Sequence, residues 1–194
     1  NVLDDYCLGG PEDDLCLFAT LTSDGGIISI HRTLGNGGDV SGFHTGGGFS
    51  DIWVVRQDLN GSILWQKCVG GNGDETSLKI FESANGNFIL AGTTTSLDGD
   101  INMSMGNQDA FVVILGSSGN IIYTNNFGGS GGDVAYDLLV KNDHEYYFVG
   151  NTSSTNGDLT SATGSNDVWL VKFSDGQNYN LVTGKAYLDL NSNL

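Results

Sequence analysis

The sequence is short of several things, and each shortage removes a class of protein. Proline occurs once, at Pro11, while glycine occurs 30 times. Without a strict triplet period, that glycine usage excludes collagen and indicates many tight turns rather than a helix bundle. No stretch carries a sustained 3.6-residue apolar period, and no apolar run approaches the roughly 20 residues of a membrane span. Cations are scarce: 7 Lys and Arg face 23 Asp and Glu, a net charge of −16. Nucleic acid and anionic membrane surfaces both need clustered Lys and Arg, so neither is an expected partner. The opening Asn1-Val2-Leu3-Asp4-Asp5 lacks the basic and apolar regions of a signal peptide, so the chain reads as a mature or cut segment.

Reactive groups are also few. The three cysteines, Cys7, Cys16 and Cys68, do not form a disulfide framework, and no Cys-x-x-Cys or Cys/His cluster suggests zinc. Cys7 and Cys68 share a repeat position, usually too far apart to bridge. Cys7 and Cys16 are the pair close in sequence, so a bridge there stands against free thiols. His31, His44 and His144 share no repeat position and lack metal or triad spacing, and no G-x-S-x-G motif occurs.

What the sequence has is a repeat. From Gly128 it runs GGSGGDVAYDLLVKNDHEYYFVGNTSSTNGDLTSATGSNDVWLVK, and about 58 residues earlier the skeleton recurs from Gly70. Gly70-Gly71 matches Gly128-Gly129, Gly99-Asp100 matches Gly157-Asp158, Asp109 matches Asp167, and Phe111 matches Trp169. A further shift of about 61 residues reaches Gly9-Gly10, with Asp51 and Trp53 aligned on Asp109 and Phe111. The clearest copy predicts four short strands: Thr76–Glu82, Phe88–Thr94, Ala110–Leu115 and Asn120–Thr124. Turns at Ala84–Asn87 and Gly116–Gly119 separate them. The same strands are expected at Leu15–Leu21, Ile27–Thr33, Ile52–Gln57 and Ser62–Lys67 in the first copy. In the third they are Ala135–Lys141, Tyr146–Asn151, Val168–Phe173 and a degraded fourth near Tyr179–Leu181.

Four antiparallel strands per repeat describe a propeller blade; a β-solenoid and a sandwich are the alternatives. The expected fold is all-β, a propeller-like array of about three blades belonging to a larger ring. Its parts are 1–8, the last strand of a preceding blade; blades at 9–69, 70–127 and 128–180; and 181–194, a linker or the first strand of another domain. Trp53, Phe111 and Trp169, one aromatic per repeat, are expected to pack between blades.

The motifs GGNGDETS, LAGTTTSLDGDINMSMGNQDAFVVILGSSGNIIY and FGGSGGDVAYDLL resemble the blade repeats of large Bacteroidota surface proteins. The resemblance covers residues 1 to about 176. It implies a β-propeller-like module of long exported proteins, many sent out by the type IX secretion system, some adhesins or gliding-motility proteins. Residues 181–194 are different: VTGKAYLDLNSN resembles the opening of the B-type immunoglobulin-like repeats of bacterial adhesins, which begin with a strand and a calcium loop. In such a loop Asp189, Asn191 and Asn193 would be ligands.

Two kinds of chemistry can be weighed on the residues themselves. Asp74/Asp133, Asp100/Asp158 and Asp109/Asp167 offer paired carboxylates, but they recur in each repeat, whereas one active site needs one set. Recurrence indicates turn hydrogen bonding, so an enzyme is not expected. Calcium is the stronger suggestion: Asp98, Asp100 and Asn102 place oxygens at alternate positions of a glycine-containing loop. The long loops Gly35–Ser50, Ser96–Gln108 and Ser154–Asn166 would crowd one rim and could carry recognition.

The expected function is a non-enzymatic structural or adhesive module of a large cell-surface protein, on the outer surface of a Gram-negative bacterium. The alternative is a calcium-assisted, lectin-like carbohydrate-binding propeller. Expected partners are neighbouring domains and surface glycans or proteins, with no membrane insertion.

Overall fold

The computed structural model describes residues 5–44, 49–101, 105–142, 144–160, 162 and 165–174. Eleven strands run in chain order, and no helix occurs among the described residues. Sheet I holds β1 (Asp14–Leu21), β2 (Ile27–Thr33), β3 (Asp51–Gln57) and β4 (Ile63–Val69). Sheet II holds β5 (Glu75–Glu82), β6 (Phe88–Thr94), β7 (Asp109–Leu115) and β8 (Ile121–Phe127). Sheet III holds β9 (Asp133–Asn142), β10 (Glu145–Thr152) and β11 (Asp167–Phe173). Each is an antiparallel meander in sequence order.

The expected fourth strand of the third repeat, near Tyr179–Leu181, lies outside the described residues, as do Asn102, Asp189, Asn191, Asn193 and all of 181–194. Of the expected leading strand at 1–8, Asp5–Leu8 is described and carries no strand.

Local chemistry sets the hairpins. In Ser83–Asn87, the Ser83 amide donates to Asn87 O at 2.8 Å and the Gly86 amide to Ser83 O at 2.9 Å. Gly86 sits at φ 80°, which a side chain disfavours. This is a type I turn closed by a glycine bulge. The same pair of bonds closes the hairpins at Thr22–Gly26, Asp58–Ser62 and Gly116–Asn120. Asx side chains reinforce them: Asp58 Oδ1 accepts the Asn60 and Ser62 amides, each at 2.9 Å.

Every first strand also breaks register at a shared place, between Cys16 and Phe18, between Ser77 and Lys79, and between Ala135 and Asp137, and β9 breaks a second time between Val140 and Asn142. The extra residues Leu17, Leu78 and Tyr136 occupy one repeat position. A bulge increases local twist and bends its strand.

The sheets pack face against face through two core clusters. One joins Ile28, Ile30, Ile52 and Val54 of sheet I to Leu90, Phe111, Val113 and Leu115 of sheet II. The other joins Ile89, Ala91, Ala110 and Val112, on the opposite face of sheet II, to Phe148, Trp169, Val171 and Phe173 of sheet III. Sheet II is therefore buried on both faces, which is why β6 and β7 read as unbroken apolar runs rather than alternating ones. No core cluster joins sheets I and III among the described residues.

Phe111 and Trp169 each face the preceding sheet, the packing role expected of them. Trp53 occupies the same place on sheet I, where Leu8, Val40 and Phe43 cover it.

Beside these aromatics stand Gly92 and Gly150. A Cβ at Gly92 would run into the Thr76 carbonyl and lie 2.9 Å from the Phe111 ring. Gly92→Ala is expected to destabilise the chain by about 2 kcal/mol, the cost of overpacking against backbone. Urea unfolding read at constant m-value checks it.

Candidate functional site

The chemically capable side chains converge where one sheet hands over to the next. The design starts from a sequence feature, two glycines followed four residues later by an acid: Gly10 and Asp14, Gly71 and Glu75, Gly129 and Asp133. The acid is the first residue of the sheet's first strand, and Glu75 and Asp133 are fully buried. Glu75 Oε1 accepts Thr94 Oγ1 at 2.5 Å and Ser96 Oγ at 2.7 Å, while Oε2 accepts the Gly71 amide at 3.1 Å. Asp133 repeats the set, accepting Thr152 Oγ1, Ser154 Oγ at 2.7 Å and the Gly129 amide at 2.8 Å. In sheet I the arrangement is thinner: Asp14 Oδ2 accepts the Gly10 amide at 2.6 Å, and Thr33 Oγ1 turns to Gly35 O at 3.3 Å.

The loop between second and third strands clasps the glycine segment from the other side. The Asp100 amide donates to Gly70 O at 2.8 Å, and the Asp158 amide to Gly128 O at 2.9 Å. Asp98 Oδ1 accepts the Asn72 amide and Asn156 Oδ1 the Ser130 amide, each at 2.8 Å. Gly99 at φ 79° and Gly157 at φ 74° turn the loop at this contact.

A second acid from the previous sheet closes each junction. Asp51 and Glu75 flank Gly70, and Asp109 and Asp133 flank Gly128. A Cβ on either glycine would collide with both carboxylates, so the glycine fills the gap between the acids. Catalysis by a carboxylate pair needs room for substrate or water between the acids. Both pairs are buried and the space is taken.

The two junctions differ in countercharge. At the first, His44 Nδ1 lies 2.8 Å from Asp51 Oδ2 and its Nε2 lies 3.6 Å from Asp100 Oδ2. Lys67 Nζ lies 3.0 Å from Asp100 Oδ2. At the second, Asn125 stands at the Lys67 position, and backbone amides serve instead: Met105 N and Gly106 N donate to Asp109 Oδ2 at 2.7 and 3.1 Å. Asp158 Oδ2 accepts the Gly128 amide at 3.0 Å.

Burial pushes the carboxyls of Asp51 and Glu75 up, more than the hydrogen bonds to them bring them down. Asp158 is also raised, first by burial and then by the charges of Asp109 and Asp133.

The sequence-predicted site residues therefore meet in part. Gly70, Gly71, Gly128, Gly129, Asp51 and Asp109 all line the junctions. Asp98 and Asp100 do not share a cage: Asp98 holds Asn72, while Asp100 turns to Lys67 and His44. Among the described residues no three His, Cys, Asp or Glu side chains come together as a metal cluster. Asp133 pairs in role with Glu75 rather than Asp74; Asp74 Oδ1 instead accepts Ser50 N and Oγ, each at 2.9 Å, tying sheet II to the end of the preceding loop.

Cys7 and Cys16 are free thiols, not a bridge. Cys16 is on β1, at one edge of sheet I, whereas Tyr6 and Leu8, flanking Cys7, reach Gly61 and the Trp53 cluster near the other edge. Burial, then the nearby Asp51 charge, pushes the Cys68 thiol up to about 12, which leaves it an inert core group.

A different feature belongs to sheet I alone. The buried Arg56 guanidinium reaches Asp24, Gln57 O and Ile27 O. It borders a shallow cleft of about 210 Å³ with Asp24, Gly25, Gly26, Asp58, Leu59 and Leu64.

Two outcomes check this account. Glu75→Ala strands three donors around its carboxylate and is expected to cost about 3 kcal/mol, measured by chemical unfolding. Asp158 has a raised folded-state value, so the native state binds its proton more tightly and stability falls as pH rises through the carboxylate range. Lowering pH through the carboxylate range should relieve this group's penalty, and Asp158→Asn should flatten that part of the curve of melting temperature against pH.

No protein-family model and no curated protein matches the chain.

Proposed function

We propose that the three sheets are blades of a β-propeller-like array, and that the chain serves as a non-enzymatic structural or adhesive module of a large bacterial surface protein. The observation that carries this reading is the recurrence of the carboxylate clasps. The strongest acids and hydroxyl groups of the repeat are occupied in fastening sheet to sheet, and they do so twice with the same partners. Catalytic groups break repeat symmetry; fasteners keep it.

Two further features support it. Three consecutive meanders pack through equivalent faces, with one aromatic per junction, as blades do. The loops between second and third strands leave each sheet at the same end and are polar and glycine-rich, a surface that a rigid scaffold would present to a partner. The extracellular setting and the surface-protein context follow from the resemblance of the repeats. Neighbouring domains, surface glycans or surface proteins are the partners in this reading.

The test pairs a binding measurement with a turnover measurement on the full chain. Immobilised protein is probed against glycan and protein-coated surfaces, and the soluble protein against glycoside, ester and peptide substrates. Adhesion that is weakened by loop exchange at 96–101 or 153–160, without turnover, is the expected result. Turnover abolished by Asp51→Asn with unchanged melting would overturn the proposal.

A further inference from the structure

We infer that the Asn156-Gly157 pair is a site of spontaneous covalent modification, where loss of ammonia from Asn156 alters the loop that fastens sheet III to sheet II. The chain has five Asn-Gly pairs: Asn36-Gly37, Asn60-Gly61, Asn72-Gly73, Asn85-Gly86 and Asn156-Gly157. In any such pair the glycine nitrogen can close a succinimide ring on the asparagine side-chain carbonyl, and glycine puts no side chain in the way. The fold decides whether that nitrogen is free to do so.

In four of the pairs it is occupied. The Gly37 amide donates to Val40 O at 2.9 Å, the Gly61 amide to Asp58 O at 3.2 Å and the Gly86 amide to Ser83 O at 2.9 Å. The Gly73 amide donates to Ser96 Oγ at 2.7 Å. Each of these turn and loop bonds must open before its nitrogen can react. The Gly157 amide donates to nothing among the described residues.

The asparagine side chains differ in the same direction. Asn72 Nδ2 is tied to the Asp98 carboxylate, and Asn36 Nδ2 donates to Phe43 O at 3.4 Å. Asn85 Oδ1 is held inside its own turn by Ser83 Oγ at 2.6 Å and the Asn87 amide at 3.2 Å. Asn156 Oδ1 accepts the Ser130 amide at 2.8 Å, while its Nδ2 carries no hydrogen bond among the described residues. The Ser130 amide polarises the carbonyl and stabilises negative charge that develops on Oδ1 during attack. The leaving nitrogen is unencumbered. Both residues are exposed, so water reaches them.

The reaction needs only water. Gly157 N gives its proton to solvent and bonds to Asn156 Cγ. The Cγ–Nδ2 bond breaks, and Nδ2 takes up a proton and leaves as ammonia. Water then adds to one of the two imide carbonyls. Cleavage of the new Cγ–N bond leaves an ordinary aspartyl side chain. Cleavage of the original peptide bond leaves the chain joined through Cγ, one methylene longer. Nothing is oxidised or reduced.

The two products differ in consequence. The aspartyl form already exists in the middle repeat, where Asp98 Oδ1 accepts the Asn72 amide at 2.8 Å as Asn156 Oδ1 accepts that of Ser130. It keeps the junction. The Cγ-linked form lengthens the main chain immediately before Asp158. The Asp158 amide donates to Gly128 O at 2.9 Å, and its Oδ2 accepts the Gly128 amide at 3.0 Å. Both bonds clasp the segment entering sheet III, so this product loosens it. The junction of sheets I and II is spared, because Asp98 stands at the equivalent place and an ionised carboxylate is a poor target for a nitrogen nucleophile.

The full chain, incubated in mildly alkaline buffer beside the same chain in urea, tests this by mass spectrometry of digests, with fragmentation that separates aspartyl from Cγ-linked peptides. In the native chain, conversion at Asn156 should be at least about fivefold faster than at Asn36, Asn60, Asn72 or Asn85, the factor that a retained hydrogen bond confers. In urea the five rates should converge. A lower-melting population should grow in step with the Cγ-linked product. Asn156→Gln should prevent that growth, and fresh Asn156→Asp should melt as the parent does. Native conversion at Asn156 no faster than at the other four would overturn the site. Conversion there with unchanged melting, or a lower-melting population that grows equally in Asn156→Gln, would overturn its effect on the junction.

Discussion

Sheets II and III each begin with a fully buried acid whose two oxygens are both hydrogen-bonded, and the way the sheets join hangs on that arrangement. Glu75 and Asp133 each gather one backbone amide and two hydroxyl groups. An ionised carboxylate removed from water is costly unless such donors surround it. Once surrounded, it fixes three pieces of chain at one point: the glycine segment entering the sheet, the end of the second strand, and the loop that follows. Apolar packing between sheets supplies the larger driving force, but it is not directional. The acids supply the direction by fixing where each sheet starts relative to the last.

Charge makes this placement delicate. The chain carries a net −16, and its junctions add buried carboxylates to that excess. At the first junction Lys67 offsets the charge and His44 hydrogen-bonds Asp51; at the second, amides of the polypeptide serve. The exposed cations work elsewhere: Lys79 bridges to Asp137 across sheets II and III at 2.7 Å, and Lys141 and Lys172 hold Glu145 down to about 2. The few positive side chains are thus placed locally rather than spread as a general solubilising surface.

Much of the sheet pattern was legible in the sequence, because turn chemistry and apolar runs are local signals. Ile27–Thr33 and Phe88–Thr94 were read with their observed limits, and most other strand ends moved by one to three residues. The recurrent aromatics were read as packing groups, and Phe111 and Trp169 pack as such. The recurring bulge at Leu17, Leu78 and Tyr136 was not legible, since a register break leaves no mark on alternation when both faces are partly buried. His44 and Lys67 were missed for a different reason: they meet Asp100 only after distant segments fold together. Glu75 was within reach, because the four-residue spacing from Gly10, Gly71 and Gly129 to an acid is constant. Matching Asp with Asp, instead of acid with acid, hid it. The pairing of Cys7 with Cys16 relied on nearness in sequence, which the meander overrides by sending the two toward opposite edges of sheet I.

The burial of sheet II on both faces has a consequence for how disturbances spread. Among the described residues sheets I and III share no core cluster, so there a change in one reaches the other through the middle sheet. Energetically the array behaves as a short one-dimensional chain with nearest-neighbour coupling. Paired substitutions in sheets I and III should then combine additively, whereas either paired with a change in sheet II should not. The middle sheet is the correlation length of the molecule: what it tolerates determines whether the two ends melt as one body or as two.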